Sequence, residues 1–93
     1  MMNKVTLSGH ILVPPNELPL VRDALTEHTK LTREEDGCVA FIVTEDLNVE
    51  GRFNVYEEFT TPKAFRAHQE RVKESAWGEA TTNTQRFYSI EGL

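Results

Sequence analysis

One cysteine, Cys38, is all the chain has in 93 residues, so no disulfide can form within it, and such thiol usage fits a reducing, cytoplasmic setting. Positive charge is also scarce: 15 Asp and Glu against 10 Lys and Arg leave a net charge of −5. Phosphate contacts dominate nucleic-acid affinity, so an acidic chain without a basic stripe is a poor partner for DNA or RNA. No apolar run approaches the ~20 residues of a membrane span, and Met1-Met2-Asn3-Lys4 leads straight into a strand pattern without an apolar signal region. Cysteines and histidines at zinc spacing are missing, and so is a glycine-rich phosphate loop. These absences leave one small acidic domain over residues 1–93. A chain of this length buries only roughly 60–65% of its unfolded surface, which oligomerisation would improve.

What is present is strong periodicity. Val5, Leu7, Gly9, Ile11 and Val13 alternate with Thr6, Ser8, His10 and Leu12, the mark of a strand with one apolar face, and Pro14-Pro15 stops it. Asn16 is positioned to cap a helix with Glu17 and Pro19 in its first turn. Leu20 or Val21, Ala24, Leu25, His28 and Leu31 form the stripe of that helix, which ends in the charged turn Arg33 to Gly37.

Cys38 to Val43 is apolar on both faces, with Cys38, Ala40 and Ile42 on one and Val39, Phe41 and Val43 on the other. A strand apolar both ways is covered both ways. One helix layer covers one face of a sheet, so a second copy of the chain is the expected cover for the other. Asn48 to Gly51 is a turn, and Arg52 to Phe59 alternates again, with Phe53, Val55, Glu57 and Phe59 on one side. Thr61 and Pro62 start a second helix with inner positions Phe65, His68, Val72 and Ser75 or Ala76. Trp77-Gly78 has the form of its end, with glycine as a left-handed cap, and Arg86 to Glu91 reads as a last strand. The order β-α-β-β-α-β predicts an α+β, ferredoxin-like fold: an antiparallel sheet with two helices on one face, dimerising through the other.

Two residues break the pattern in ways that suggest chemistry. Glu57 is a carboxylate on an apolar strand face, where it must be paired, hydrogen-bonded or protonated. It is either structural, bonded to backbone amides or to an arginine such as Arg33, or it tunes a catalytic partner. His68 lies one turn from Phe65 and one from Val72, so it faces the sheet, and an imidazole there can exchange a proton near neutral pH. It is either a satisfied core histidine or that partner. His28 is placed to approach the same space, whereas His10 belongs on the mixed face toward a dimer interface. Tyr56, Asn54, Trp77, Arg86 and Tyr88 are candidates for a pocket mouth, with Trp77 as a wall. Cys38 is a packing residue rather than a nucleophile.

Arg33-x-Glu35-x-Gly37-Cys38, the apolar strand, Phe53-x-Val55-x-Glu57-x-Phe59 and the helix segment Ala64-Phe65-x-x-His68 resemble the antibiotic-biosynthesis-monooxygenase family. Phe59 stands where the family usually has Trp, and Lys73 or Ser75 where many members have a second histidine. The resemblance implies a dimeric α/β barrel and a cofactor-independent monooxygenase acting with dioxygen on an electron-rich aromatic such as a quinol or anthrone. It implies a pocket role for His68, which as base with Glu57 orienting it would suit that reaction, while Tyr56, Trp77, Arg86 and His28 are read from residue type and position as facing the substrate. No metal or organic cofactor is expected. The alternatives are a non-catalytic dimeric ligand-binding or stress-response module, or an enzyme that isomerises or degrades a small hydroxylated carbonyl compound. Haem degradation would need an Asn, Trp and His set that these residues do not map onto.

Overall fold

Residues 3–93 are described by a computed structural model of the chain; Met1 and Met2 lie outside the described residues. Alternation places Val5, Leu7 and Ile11 of strand β1 (Val5–Leu12) on one buried face, and Phe53, Val55, Glu57 and Phe59 of β3 (Arg52–Phe59) on the same side. The two strands pair antiparallel, with Leu7 opposite Glu57 and Ile11 opposite Phe53. Strands β2 (Cys38–Glu45) and β4 (Gln85–Glu91) complete a sheet of order β2-β3-β1-β4, all antiparallel. Helices α1 (Leu18–Arg33) and α2 (Pro62–Lys73) give the element order predicted from the sequence, with a short helix α3 (Ala76–Ala80) added after α2. The architecture is the α+β ferredoxin-like one. Full burial of Phe53, Phe59 and Phe65 at its centre contributes roughly 1.5–3 kcal/mol each.

Local chemistry sets the ends and faces of the elements, and several differ from the sequence expectation. Asn16 does not cap α1. A 3-10 turn over Pro15–Glu17, closed by the Glu17 amide on the Pro14 carbonyl at 2.9 Å, leads into the helix instead. Proline cannot supply the backbone donors of a longer lead-in, and its fixed φ suits this tight turn. The buried stripe of α1 is Leu18, Val21, His28 and Thr32, while Leu20 and Leu31 are exposed. In β2 the register shifts between Cys38 and Ala40. That bulge returns Cys38 to the core side with Phe41 and Val43 and leaves Ile42 on the opposite face. Thr61 caps α2 as expected, its Oγ1 accepting from the Ala64 amide at 3.0 Å, with Pro62 in the first turn.

Gly78 is not a left-handed cap. It sits inside α3, where the Ser75 side chain accepts from its amide at 3.1 Å. A Cβ there would collide with the Val72 carbonyl oxygen, so glycine is what lets α3 fold back against the end of α2. Gly37 has φ +85, which closes the α1–β2 turn in a conformation that side chains resist.

The face of the sheet away from the helices carries Ile42, Tyr56, which is paired with it across the strands, and Phe87, stacked on His10 with ring centroids 4.9 Å apart. All three apolar or aromatic side chains are exposed. Ile42→Glu is expected to convert a dimer of twice the chain mass into monomer, read by light scattering at micromolar concentration. A monomeric parent would refute the sheet-face dimer. Gly78→Ala is expected to destabilise the fold by roughly 1–3 kcal/mol in urea titration through the clash with Val72.

Candidate active site

Strand alternation turns Glu57 inward between Val55 and Phe59, and the three-residue step from Phe65 turns His68 toward it. Both are buried, and His68 Nε2 lies 3.7 Å from Glu57 Oε1. That distance is too long for a hydrogen bond, so neither atom satisfies the other. Glu57 has no hydrogen-bond partner among the described residues. The arginine considered for it, Arg33, instead donates to the Phe41 carbonyl at 2.9 and 3.2 Å.

The histidine is held from its other side. His68 Nδ1 lies 2.9 Å from Glu35 Oε1, and Glu35 Oε2 accepts from Arg71 Nε. Arg71 in turn donates to Thr32 Oγ1 at 3.0 Å. A carboxylate can only accept, so Nδ1 carries the proton and Nε2 is left with its lone pair toward Glu57. Glu35 and Arg71 were not identified as site residues from the sequence. Their signal was Glu35 in the Arg33-x-Glu35-x-Gly37 pattern, and Arg71 lying three residues from His68.

His28 completes an aromatic wall. Its ring stacks on Trp77 with centroids 4.8 Å apart and planes 3° off parallel, and it meets Phe41 edge-on at 5.1 Å. His28 Nδ1 is buried without a partner. A cavity of about 440 Å³ opens against this group, lined by His28, Glu57, His68, Trp77, Arg86 and Tyr88, with Leu7 and Val72 as apolar surface. Five of the six proposed site residues, Glu57, His68, His28, Trp77 and Arg86, are thus brought to one space. Tyr56 is not: it stands on the opposite sheet face, its hydroxyl donating to Glu58 Oε1 at 2.8 Å. Asn54 is likewise on that face, bonded to Asp46.

Burial governs the protonation states. It pushes the Glu57 carboxyl up to about 7, with the nearby negative charge of Glu35 adding to the effect. It lowers the His28 imidazole to about 3, helped by His68 and Arg71. His68 is also lowered: burial outweighs the charge and hydrogen bond of Glu35, and Arg71 adds to the lowering. The Tyr88 phenol is pushed up to about 12 by burial and then by Glu57, with Arg86 opposing. At neutral pH the site therefore presents two uncharged imidazoles, a phenol and a carboxyl near its midpoint. The arrangement can take a proton at His68 Nε2 and donate a hydrogen bond from Glu57.

The antibiotic biosynthesis monooxygenase family model matches residues 5–90. The chain belongs to that family. This family member is similar in fold to a Bacteroides thetaiotaomicron protein described as a possible oxidoreductase, at 15% identity and TM-score 0.77 over 100% of both chains. It is similar to a Nitrosomonas europaea protein that bears the family's name, at 19% identity and TM-score 0.77 over 100% of this chain and 92% of that one. It also resembles MupZ from Pseudomonas fluorescens, at 15% identity and TM-score 0.79 over 99% of this chain and 70% of that one. At such identities the likeness establishes the fold alone. No curated protein matches the sequence. No helix among the described residues is long and apolar enough to cross a membrane, and no group of three or more His, Cys, Asp or Glu side chains there is placed to hold a metal ion.

Glu57 and the histidines oppose each other in pH dependence. The Glu57 value is raised above its ordinary 4.5, so its contribution is fully present below about 4.5 and is lost as pH rises through about 7. The lowered His28 contributes above about 6.5, and that contribution is lost as pH falls toward 3. Glu57→Gln removes only the first effect. The variant is expected to gain on the parent between pH 4.5 and 7.5, by up to about 3 kcal/mol at about 1.4 kcal/mol per pH unit. Urea titrations at fixed protein concentration read this, and a stability difference independent of pH would contradict it.

Proposed function

We propose that this protein oxidises a flat, electron-rich hydroxyaromatic of quinol or anthrone type with dioxygen, without a cofactor. Family membership and the oxidoreductase description of one similar structure support this class of reaction. The observation that carries it is His68, whose Nδ1 proton is pinned on Glu35 while Nε2 faces the cavity 3.7 Å from Glu57. Dioxygen reacts slowly with neutral closed-shell organics, whereas an enolate or phenolate reduces it by one electron. The protein need only bind the ring, remove a proton and stabilise the anion.

With an anthrone, one dioxygen is consumed and a ketone and one water are formed. A methylene proton passes to His68 Nε2, and the negative charge spreads to the substrate oxygen, where the Glu57 carboxyl donates a hydrogen bond. The anion gives one electron to dioxygen, and the resulting radical and superoxide combine in a carbon–oxygen bond. The peroxide takes the proton from His68. Loss of water breaks the O–O bond and the second C–H bond, leaving a ketone. One oxygen atom ends in the product and the other in water. The stacked Trp77 and His28 rings supply the apolar wall against which a flat substrate lies.

Oxygen uptake with reduced naphthoquinones and anthrones tests the proposal. His68→Ala is expected to lower kcat by about 10²–10⁴-fold with a smaller change in KM, because a base acts in the transition state. Glu35→Gln is expected to cost less, since it loosens the tautomer without removing the base. Uptake unchanged by His68→Ala would place this histidine in the core. Binding without uptake across the panel would instead make the protein a ligand-binding module.

A further inference from the structure

The charge on the cavity wall is opposite in sign to that of the protein. The chain carries −5 overall, yet the cavity is lined by the cations Arg86 and Lys73 and by one carboxyl, Glu57. Burial raises that carboxyl to about 7, so it carries only part of a charge at neutral pH. Arg86 is positioned by neutral groups: Nη2 donates to Thr81 Oγ1 at 2.9 Å and to the Thr81 carbonyl at 3.2 Å, and Nη1 donates to the Thr84 carbonyl at 3.2 Å. Among the described residues no carboxylate pairs with it, whereas Arg22, Arg52 and Arg71 each have one. The guanidinium also hydrogen-bonds the neutral Tyr88 phenol, which leaves one N–H for another acceptor. Lys73 has only a solvent-exposed pairing with Glu70 at 3.1 Å, the kind of contact that holds a side chain weakly.

A guanidinium fixed at a cavity by these hydrogen bonds and left without a counter-charge is a preorganised anion site. We propose that the ligand is an aromatic acid: its ring lies against Trp77 and His28, and its anionic substituent, such as a carboxylate, seats on Arg86 with Lys73 beside it. This rests on the aromatic-substrate proposal above and deepens it. The acidic arm anchors one end of the ring system, and the ring hydroxyl or methylene is then held in the same cavity as His68 and Glu57. A neutral quinol would have the stacking wall but no anchor.

Calorimetric titration with 1-hydroxy-2-naphthoic acid and with 1-naphthol, which differ by the carboxylate, tests this in the intact protein. The acid is expected to bind at least tenfold more tightly at low salt, with the advantage shrinking as salt is added. Arg86→Gln is expected to abolish the advantage while leaving 1-naphthol within about twofold, and Lys73→Gln to reduce it by a smaller factor. Arg86→Lys keeps the charge and is expected to retain part of the preference, which separates lost recognition from a damaged fold. Equal affinity of the two ligands, or equal weakening of both by Arg86→Gln, would overturn the inference. Oxygen uptake on neutral quinols alongside equal affinities would leave the oxygenase proposal standing. Preferred binding of the acid without any uptake would retain the anion site and remove the oxygenase.

Discussion

Glu57 stands on a strand whose other inward residues are core, and the rest of the site follows from keeping that carboxyl there. Phe53, Val55 and Phe59 hold the strand in register, so the side chain cannot turn away without reversing the face of its neighbours. Within reach of a carboxyl in a low-dielectric place, a charge of either sign is costly unless it is paired. The molecule resolves this by separating the charges. The compensated ones, Glu35 and Arg71, lie behind His68, and the uncharged imidazoles lie between them and the cavity. The ion pair therefore orients the base, and its charges still reach the cavity wall, Glu35 raising the Glu57 carboxyl and Arg71 lowering the His28 imidazole.

The cavity itself comes from incomplete coverage. The helices close over β2, β3 and β1, but every residue of β4 is at least partly open to solvent, including Tyr88 and Ile90, which share the helix side of the sheet. α3 folds back at this edge and brings Trp77 over the gap without filling it. A longer α2 continued straight would carry Trp77 elsewhere. The turn at Glu74 and Ser75, made possible by the missing side chain at Gly78, is what makes a wall from a residue that would otherwise be surface.

Much of this was legible in the sequence because it depends on period. Alternation in β3 and three-residue steps in α2 require no knowledge of distant contacts, and they alone bring Glu57 and His68 face to face. Glu35 and Arg71 were not legible in the same way. A glutamate in a charged turn and an arginine beside polar helix positions have the signature of solvated surface, and only the tertiary approach of residues 36 apart along the chain makes them a buried-side pair. The β2 bulge was missed for a related reason: a one-residue shift leaves composition unchanged while reversing which side Cys38 faces. Tyr56 was assigned to the cavity on its residue type alone. Its even-numbered position on β3 already put it on the opposite face from Glu57, and the structure follows the alternation.

The ladder between β1 and β4 has a consequence for how the molecule folds. Thr6 pairs with Glu91 and Leu12 with Gln85, so the strand that opens the domain bonds to the strand that closes it. Until β4 pairs, β1 has a bare edge and Arg86 and Tyr88 are not yet in place. Pairing so distant along the chain is slow to nucleate, and an unpaired edge is where folding chains associate wrongly. The strand that closes the sheet also supplies the cationic wall, so the site does not exist before β4 has paired with β1.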